Sequence, residues 1–142
     1  MDFRIRAASA EDIAGMHEVR GRVRENRLSN PRRITEASYR PYVAAGSAWV
    51  AETDAGIVGF AALDAPHGKV WALFVAPEAE GAGIARALHR RMIEWAQEQG
   101  LERLSLSTEA GSRAERFYRE AGWIKAGLTE AGEVQFEMKL RG

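Results

Sequence analysis

The junction between a buried strand and a long helix, near the middle of the chain, is the feature that most constrains the fold. The almost continuously apolar residues 70–75 are followed by Pro77, and Gly81 and Gly83 precede a helical pattern that begins at Ile84. A continuous apolar run is typical of a central strand covered on both faces. Glycines let backbone N–H groups approach a ligand, and the first amides of a helix lack intrahelical partners at the positive end of its dipole. The junction therefore predicts an anion site, with phosphate as the expected ligand, although a plain strand-to-helix turn is the alternative.

The composition excludes several kinds of site and partner. The chain has 142 residues, enough for one domain, residues 1–142, with a sizeable hydrophobic core. Its 20 basic residues balance 20 acidic residues, which argues against a broad nucleic-acid surface. Cysteine is absent and the three histidines are scattered, so we expect no disulfide, no thiolate chemistry and no metal site. Without a signal peptide or a membrane-spanning run, we expect a cytoplasmic protein with no membrane partner.

The first half of the chain predicts a strand, two helices and a hairpin. Polar and apolar residues alternate around Ile5, and Ser9 then provides the N-cap of a helix. A second helix should be kinked or split by Pro41. Residues 48–52 and 57–63 have the pattern of two paired strands joined by a tight turn.

The second half predicts two more strand–helix units and a final hairpin. After the helix that begins at Ile84, residues 104–107 alternate like a strand, and Ser112 opens a second helix with a capping box. Residues 123–128 and 134–140 form the last hairpin. The order is strand, two helices, three strands, helix, strand, helix and two strands. The fold class is therefore α+β (mixed αβα), with one central mixed sheet of about six or seven strands flanked by about four helices.

Two motifs occur in this order of elements: Val75-x-Pro77 before the glycine turn, and Phe117-Tyr118-x-x-x-Gly122-Trp123 after a later strand. With them the chain resembles the GNAT-type N-acetyltransferase superfamily over nearly its whole length. The resemblance implies a GNAT-like fold with a mostly antiparallel sheet and acetyl-CoA as cosubstrate. It also implies acetyl transfer to a primary amine of a small molecule or to an exposed amino group, by direct attack in a ternary complex. The alternative is a catalytically inactive acyl-CoA-binding or regulatory domain.

The glycine turn aligns with the pyrophosphate-binding pattern of that family, Gln/Arg-x-x-Gly-x-Gly/Ala. The corresponding stretch is Glu80-Gly81-Ala82-Gly83-Ile84-Ala85, with Arg86 placed to add a positive charge. Glu80 departs from the pattern, and a carboxylate near a pyrophosphate is unfavourable unless it points outward. The family often has Asn where this chain has Gly111, so that hydrogen bond to CoA is absent here or comes from Ser112.

The resemblance also implies that the fourth strand, at Leu73-Phe74-Val75, splays from the fifth and exposes backbone groups. These groups would bind the pantetheine arm and stabilise the oxyanion of the tetrahedral intermediate. Tyr118 matches the tyrosine that protonates the leaving thiolate, a role that suits a phenol with a pKa near 10; a core tyrosine is the alternative. The implied cofactor-binding residues are Leu73, Phe74, Val75, Gly81, Ala82, Gly83, Ile84, Ala85, Arg86 and Ser112.

The general base is left open by the sequence. Five side chains are candidates, namely His67, Asp64, Glu109, Glu25 and Glu36, and loss of the amine proton to water would need no base at all. His17 and His89 fall on predicted helices, where we expect them at the surface.

An arginine cluster surrounds the end of the first helix: Arg20, Arg22, Arg24, Arg27, Arg32 and Arg33. A solvated face at the negative end of the helix dipole explains it, and so does a wall that receives an anionic substrate such as a carboxylate-bearing amine. Residues 27–46 and 130–132 are the irregular segments expected to select the acceptor. Homodimers are common among proteins that resemble this one.

Overall fold

The computed structural model describes residues 1–23 and 34–140. Seven strands and four helices follow one another in the described chain, with these bounds: β1 Arg4–Ala7, α1 Ile13–Arg22, α2 Arg40–Ala44, β2 Ala48–Thr53, β3 Gly56–Asp64, β4 Lys69–Val75, α3 Ile84–Glu98, β5 Arg103–Thr108, α4 Arg113–Glu120, β6 Ile124–Leu128 and β7 Val134–Lys139. The predicted topology, β1-α1-α2-β2-β3-β4-α3-β5-α4-β6-β7, is confirmed. Four of the six clustered arginines, Arg24, Arg27, Arg32 and Arg33, lie outside the described residues, as does Glu25.

All seven strands form one sheet in the order β1-β2-β3-β4-β5-β7-β6. Only β4 and β5 run parallel, so the expected mixed and mostly antiparallel sheet is confirmed. One core lies on the face covered by α3 and includes Trp49, Leu88 and Phe136. A second core lies on the face covered by α1 and includes Met16 and Phe60. Within the described ranges, no helix is both long enough and apolar enough to cross a membrane.

Asp12, at the start of α1, forms hydrogen bonds to the edge strand β1. Its carboxylate accepts hydrogen bonds from Arg6 Nη1 at 2.8 Å and Nη2 at 2.9 Å, and from the backbone N–H of Ser9 at 2.8 Å. Arg6 also donates from Nη2 to Glu52 of β2 at 3.2 Å. The hydrogen bonds from Arg6 lower the pKa of Asp12 below its usual value, against the opposing effect of burial.

Pro41 divides the second helical segment, as the sequence predicts. A 3₁₀ turn over Glu36–Tyr39 runs directly into the short helix α2, and Pro41 occupies the first turn of that helix. A missing backbone N–H costs nothing there, because the first amides of a helix have no intrahelical partner. The division buries Tyr39 completely and leaves Tyr42 half-buried beside it.

The strand β4 has a bulge in its pairing with β3. Ala72 pairs with Ala62 of β3 while Val70 pairs with Leu63, so Trp71 has no partner across the ladder. A bulge bends its strand and increases the local twist. In the described chain, β4 meets β5 at a single pair of residues, Lys69 and Ser105. Beyond that pair the two parallel strands diverge toward their carboxyl ends.

Candidate active site

The divergence of β4 from β5 opens a cleft of about 1280 Å³. The end of α1, the end of β4, the turn before α3 and the first turns of α4 form its walls. The described residues that line it are Gly21, Arg22, Val23, Leu73, Phe74, Val75, Pro77, Ala79, Glu80, Gly81, Gly83, Ile84, Ala85, Arg86, Arg113, Ala114, Phe117 and Tyr118.

Most of the predicted site residues meet in this cleft, although the sequence separates them by up to 45 positions, from Leu73 to Tyr118. Two of them are not part of its lining. Ala82 packs against the core beneath α3. The hydroxyl of Ser112 is the N-cap of α4: it donates to the carbonyl of Glu109 at 2.6 Å and accepts from the N–H of Glu115 at 3.2 Å.

The end of β4 offers backbone groups to the cleft. Leu73 pairs with Ala61 of β3, and Val75 pairs with Gly59, so one side of the strand is fully engaged. On the other side, the described part of β5 pairs with β4 only at Lys69. Because successive backbone groups of a strand point to alternate sides, part of the Leu73–Val75 backbone is left to bond a ligand.

The glycine turn before α3 is shaped for an anion. Gly81 and Gly83 both have φ of +84°, a backbone conformation that other residues adopt only with strain. A Cβ atom at either position would meet no other atom within 4 Å, so the space in front of the turn is open. Gly83 is the N-cap of α3, whose first amides have no intrahelical acceptor. The turn therefore has both features of a phosphate site at a helix start, namely unpaired backbone N–H groups and open space in front of them.

Two ion pairs cross the rim of the cleft. Arg113, the first residue of α4, pairs with Glu80, and Arg22 at the end of α1 pairs with Glu78. The carboxylate that departs from the family pattern is therefore compensated by a neighbouring cation. The sequence pattern predicts a positive charge from Arg86 but does not indicate Arg113. No local pattern could have found it, because Arg113 and Glu80 come together only through the packing of α4 beside the turn.

Tyr118, in α4, is part of the wall of the cleft. Its side chain is 6% exposed and is packed edge-on against Phe117 and Trp123, with ring centroids 5.3 and 5.5 Å away. Burial raises the pKa of the phenol well above its usual value near 10. The hydroxyl therefore keeps its proton throughout the neutral range. Such a group can donate a proton at the cleft but cannot act as a base there.

The described candidates for the general base lie away from the cleft. His67 is exposed on a 3₁₀ turn, where its Nδ1 is 2.9 Å from Asp64 Oδ2. Neither of these two residues lines the cleft, and neither do Glu36 and Glu109. The one carboxylate in the described lining belongs to Glu80, which is paired with Arg113. Among the described residues of the cleft lining, no unpaired carboxylate and no imidazole is therefore placed to act as a base.

Neither His17 nor His89 is the exposed surface residue that the sequence predicts, because both are half-buried. The Nε2 of His89 accepts a hydrogen bond from the indole N–H of Trp123 at 2.9 Å, and its ring packs edge-on against Phe117. Burial lowers the pKa of His89, which keeps the ring neutral and able to accept. His17 is half-buried, with its Nδ1 2.8 Å from the hydroxyl of Tyr39. Each histidine fixes an aromatic ring beside the cleft wall.

Comparison with known proteins gives matches in sequence and in structure. Residues 15–123 match the model of the Acetyltransferase (GNAT) family. Over 120 residues the chain is 34% identical to a mycothiol acetyltransferase of Sanguibacter keddieii, an alignment that covers 78% of this chain. The chain spans about a third of the length of that curated relative, 36%.

Two solved structures have the same fold over almost their whole length. The N-acetyltransferase from Staphylococcus aureus Mu50 superposes with a TM-score of 0.80, at 20% identity, and covers 99% of this chain and 100% of its own. The PaiA N-acetyltransferase from Thermoplasma acidophilum, solved in complex with coenzyme A, has a TM-score of 0.80 at 16% identity. The superposition covers 98% of this chain and 99% of that protein.

Proposed function

The chain belongs to the acetyltransferase (GNAT) family, and we propose that it transfers the acetyl group of acetyl-CoA to a primary amine. The acceptor is a small molecule or an exposed amino group, and it attacks directly in a ternary complex. Residues 1–142 form a single N-acetyltransferase domain. The observation that supports the proposal is the meeting in one cleft of the open edge of β4, the glycine turn and Tyr118.

The residues of the cleft fit acetyl-CoA. The turn at Gly81 and Gly83 and the first amides of α3 would hold the pyrophosphate, because they combine open space with unpaired N–H groups. Arg86 adds positive charge to the same wall. The open edge of β4 at Leu73–Val75 would pair with the amides of the pantetheine arm, as an added strand does. When bound, acetyl-CoA supplies a thioester carbonyl to be attacked.

The chain contributes donors rather than a nucleophile. Backbone N–H groups of Leu73–Val75 stabilise negative charge on the carbonyl oxygen, which is the largest contribution expected in this kind of site. Tyr118 donates its proton to the sulfur that leaves, and solvent restores it. The acceptor nitrogen forms the new C–N bond and releases its proton to water, while the C–S bond breaks. Proton transfer by one positioned group is worth roughly 10²–10⁴-fold in rate.

Acetyl-CoA binding and turnover test the proposal together. Calorimetry with acetyl-CoA should give one site per chain, and a panel of amines should then release free thiol from the thioester. Tight binding without turnover on any amine would instead favour an inactive acyl-CoA-binding domain, for which the lack of a described base in the cleft is the supporting observation. Failure to bind acetyl-CoA would rule out both functions.

A further inference from the structure

Arg20, in the last turn of α1, places its guanidinium against aromatic rings of β4. Its Cζ atom is 4.7 Å from the centroid of the Trp71 ring and 4.9 Å from that of Phe74. Its Nε and Nη1 atoms are buried, and neither has a hydrogen-bond partner within residues 1–23 and 34–140. Contact with ring faces stabilises the cation but leaves these N–H groups unused.

No acidic side chain of the described chain compensates this charge. Burial lowers the pKa of Arg20, and the groups that oppose the shift are the hydroxyls of Tyr39 and Tyr42 rather than a carboxylate. A guanidinium nevertheless stays protonated in proteins. A buried charge without an ionic partner is costly, and buried N–H groups without acceptors add to the cost. The neighbouring Arg22, by contrast, has its carboxylate in Glu78.

The guanidinium packs behind the wall of the cleft, of which Arg20 itself is not part. Phe74 lines the cleft and its ring contacts Arg20, and the next residue of α1, Gly21, belongs to the same wall. Tyr42 stacks on Trp71 with ring centroids 4.6 Å apart, and Tyr39 meets the same indole edge-on at 5.1 Å. The guanidinium of Arg20 and the side chains of Tyr39 and Tyr42 therefore lie close together beside β4, the strand that would bind the thioester.

We propose that Arg20 binds a carboxylate of the acceptor, so that the amine acetylated by this chain belongs to a small molecule that also carries a carboxylate. This rests on the acetyl transfer proposed above. A carboxylate matches the single charge of the guanidinium and accepts the hydrogen bonds that its buried N–H groups lack. The rings of Trp71 and Phe74 exclude water from that pair, which strengthens it. The charge that the described residues leave uncompensated becomes a determinant of specificity.

Matched acceptors test the proposal. We would compare L-amino acids with the amines that remain when the α-carboxylate is removed, for example phenylalanine with phenethylamine and histidine with histamine. The third group of acceptors is the 1-aminoalkylphosphonates, in which a phosphonate replaces the α-carboxylate of the same amino acids. The wild type should prefer the carboxylates by 100-fold or more in kcat/KM. Equal or better use of the plain amines would overturn the proposal, and preference for the phosphonates would assign the site to phosphate-like groups instead.

Variants of Arg20 show whether the preference comes from this side chain. Arg20→Gln should raise KM for the carboxylated amine tenfold or more, with little change in the dissociation constant of acetyl-CoA, and Arg20→Lys should restore part of the loss. Arg91→Gln is the matched control, because Arg91 also contacts an indole, that of Trp49 at 5.8 Å, but has a carboxylate partner in Glu98. An unchanged preference in Arg20→Gln would overturn the proposal.

Thermal unfolding separates this proposal from the proposed function, since it needs no turnover. The same amino acids should raise the Tm of the wild type and of Arg91→Gln but not that of Arg20→Gln. If no amine is acetylated, the proposed acetyl transfer is wrong, but the ligand-induced change in Tm still shows whether Arg20 binds the carboxylate. Removing a charge that lacks an ionic partner should not lower the Tm of the free protein. A large fall in Tm with no loss of the ligand-induced shift would assign Arg20 to packing alone.

Discussion

Burial keeps Tyr118 in the protonated form that its proposed role requires. Its ring is enclosed by Phe117, Trp123 and Phe136, and the last two belong to the chain that follows α4. A phenol whose pKa is raised cannot lose its proton within the range in which enzymes usually work. In the proposed mechanism, this hydroxyl donates one proton at the cleft wall, and solvent restores it after each turnover.

Tyr118→Phe should lower kcat by about 100-fold, since one positioned proton donor is removed. The phenyl ring keeps the aromatic packing, so the dissociation constant of acetyl-CoA should stay within about twofold of the wild-type value. Because the pKa is raised, the wild type should keep its proton donor up to at least about pH 10. Steady-state rates between pH 6 and about 10, with calorimetry on both proteins, measure these effects. Normal kcat in the phenylalanine variant would remove Tyr118 from the mechanism.

Residues in local motifs could be predicted from the sequence, whereas contacts between distant residues could not. Gly81 and Gly83 belong to a local pattern before a helix and Tyr118 to a motif of the family that the chain resembles, and all three line the cleft. The partner of Glu80 could not be predicted, since Arg113 reaches it across a cleft that only the tertiary fold creates. The partial burial of His89 could not be predicted for the same kind of reason: its hydrogen-bond partner, Trp123, is 34 positions away.

At the scale of elements, the start of α3 depends on a backbone conformation as much as on a charge. Gly83 holds a φ of +84° and is the N-cap of α3, whose first amides have no intrahelical acceptor. A side chain at this position would both strain the turn and occupy the space in front of it. The anion site is therefore a property of the whole turn rather than of any side chain.

Gly83→Ala should raise the dissociation constant of acetyl-CoA tenfold or more, equivalent to about 1.4 kcal/mol of binding free energy. Gly132→Ala is the matched control, because Gly132 has φ of +83° and equal free space but lies in the turn between β6 and β7. Both variants should lose about 1–2 kcal/mol of stability from backbone strain. Calorimetry and denaturant unfolding separate the two effects. Equal affinity in the two variants would contradict an anion site at this turn.

At the scale of the whole molecule, the order of elements could be predicted because hydrophobic periodicity decides it locally. The apolar run at 70–75 was predicted as a central strand, and β4 occupies that place in the sheet. The bulge at Trp71 could not be predicted, because a continuous apolar run has no alternation that an extra residue would disturb. The sequence alone therefore predicts the sheet, while the size and lining of the cleft require the structure.

The stability of the whole fold should depend on pH through Asp12. Its pKa is lowered by Arg6, so the folded state gains stability from the ionised carboxylate above pH about 4 and loses it as the pH falls below that value. Asp12→Asn should lower the free energy of unfolding at pH 7 by about 1–3 kcal/mol, and the loss of stability between pH about 5 and 3 should become smaller. Denaturant titrations across that range measure both changes.

Asp54→Asn is the control for this prediction. Asp54 lies exposed in the turn between β2 and β3, so the same chemical change should alter stability by less than about 0.5 kcal/mol. If both variants kept the acid sensitivity of the wild type, another carboxylate would be responsible for it.

The divergence of β4 from β5 has a consequence for how this sheet avoids unwanted association. Exposed strand edges tend to recruit strands from other chains, and most proteins protect them with charges, bulges or covering segments. Here the edge at Leu73–Val75 lies inside the sheet, in a wedge that narrows to the pair of Lys69 and Ser105. In the proposed complex, the pantetheine arm would occupy this wedge and pair with the free edge, so the bound cosubstrate itself would cover the edge.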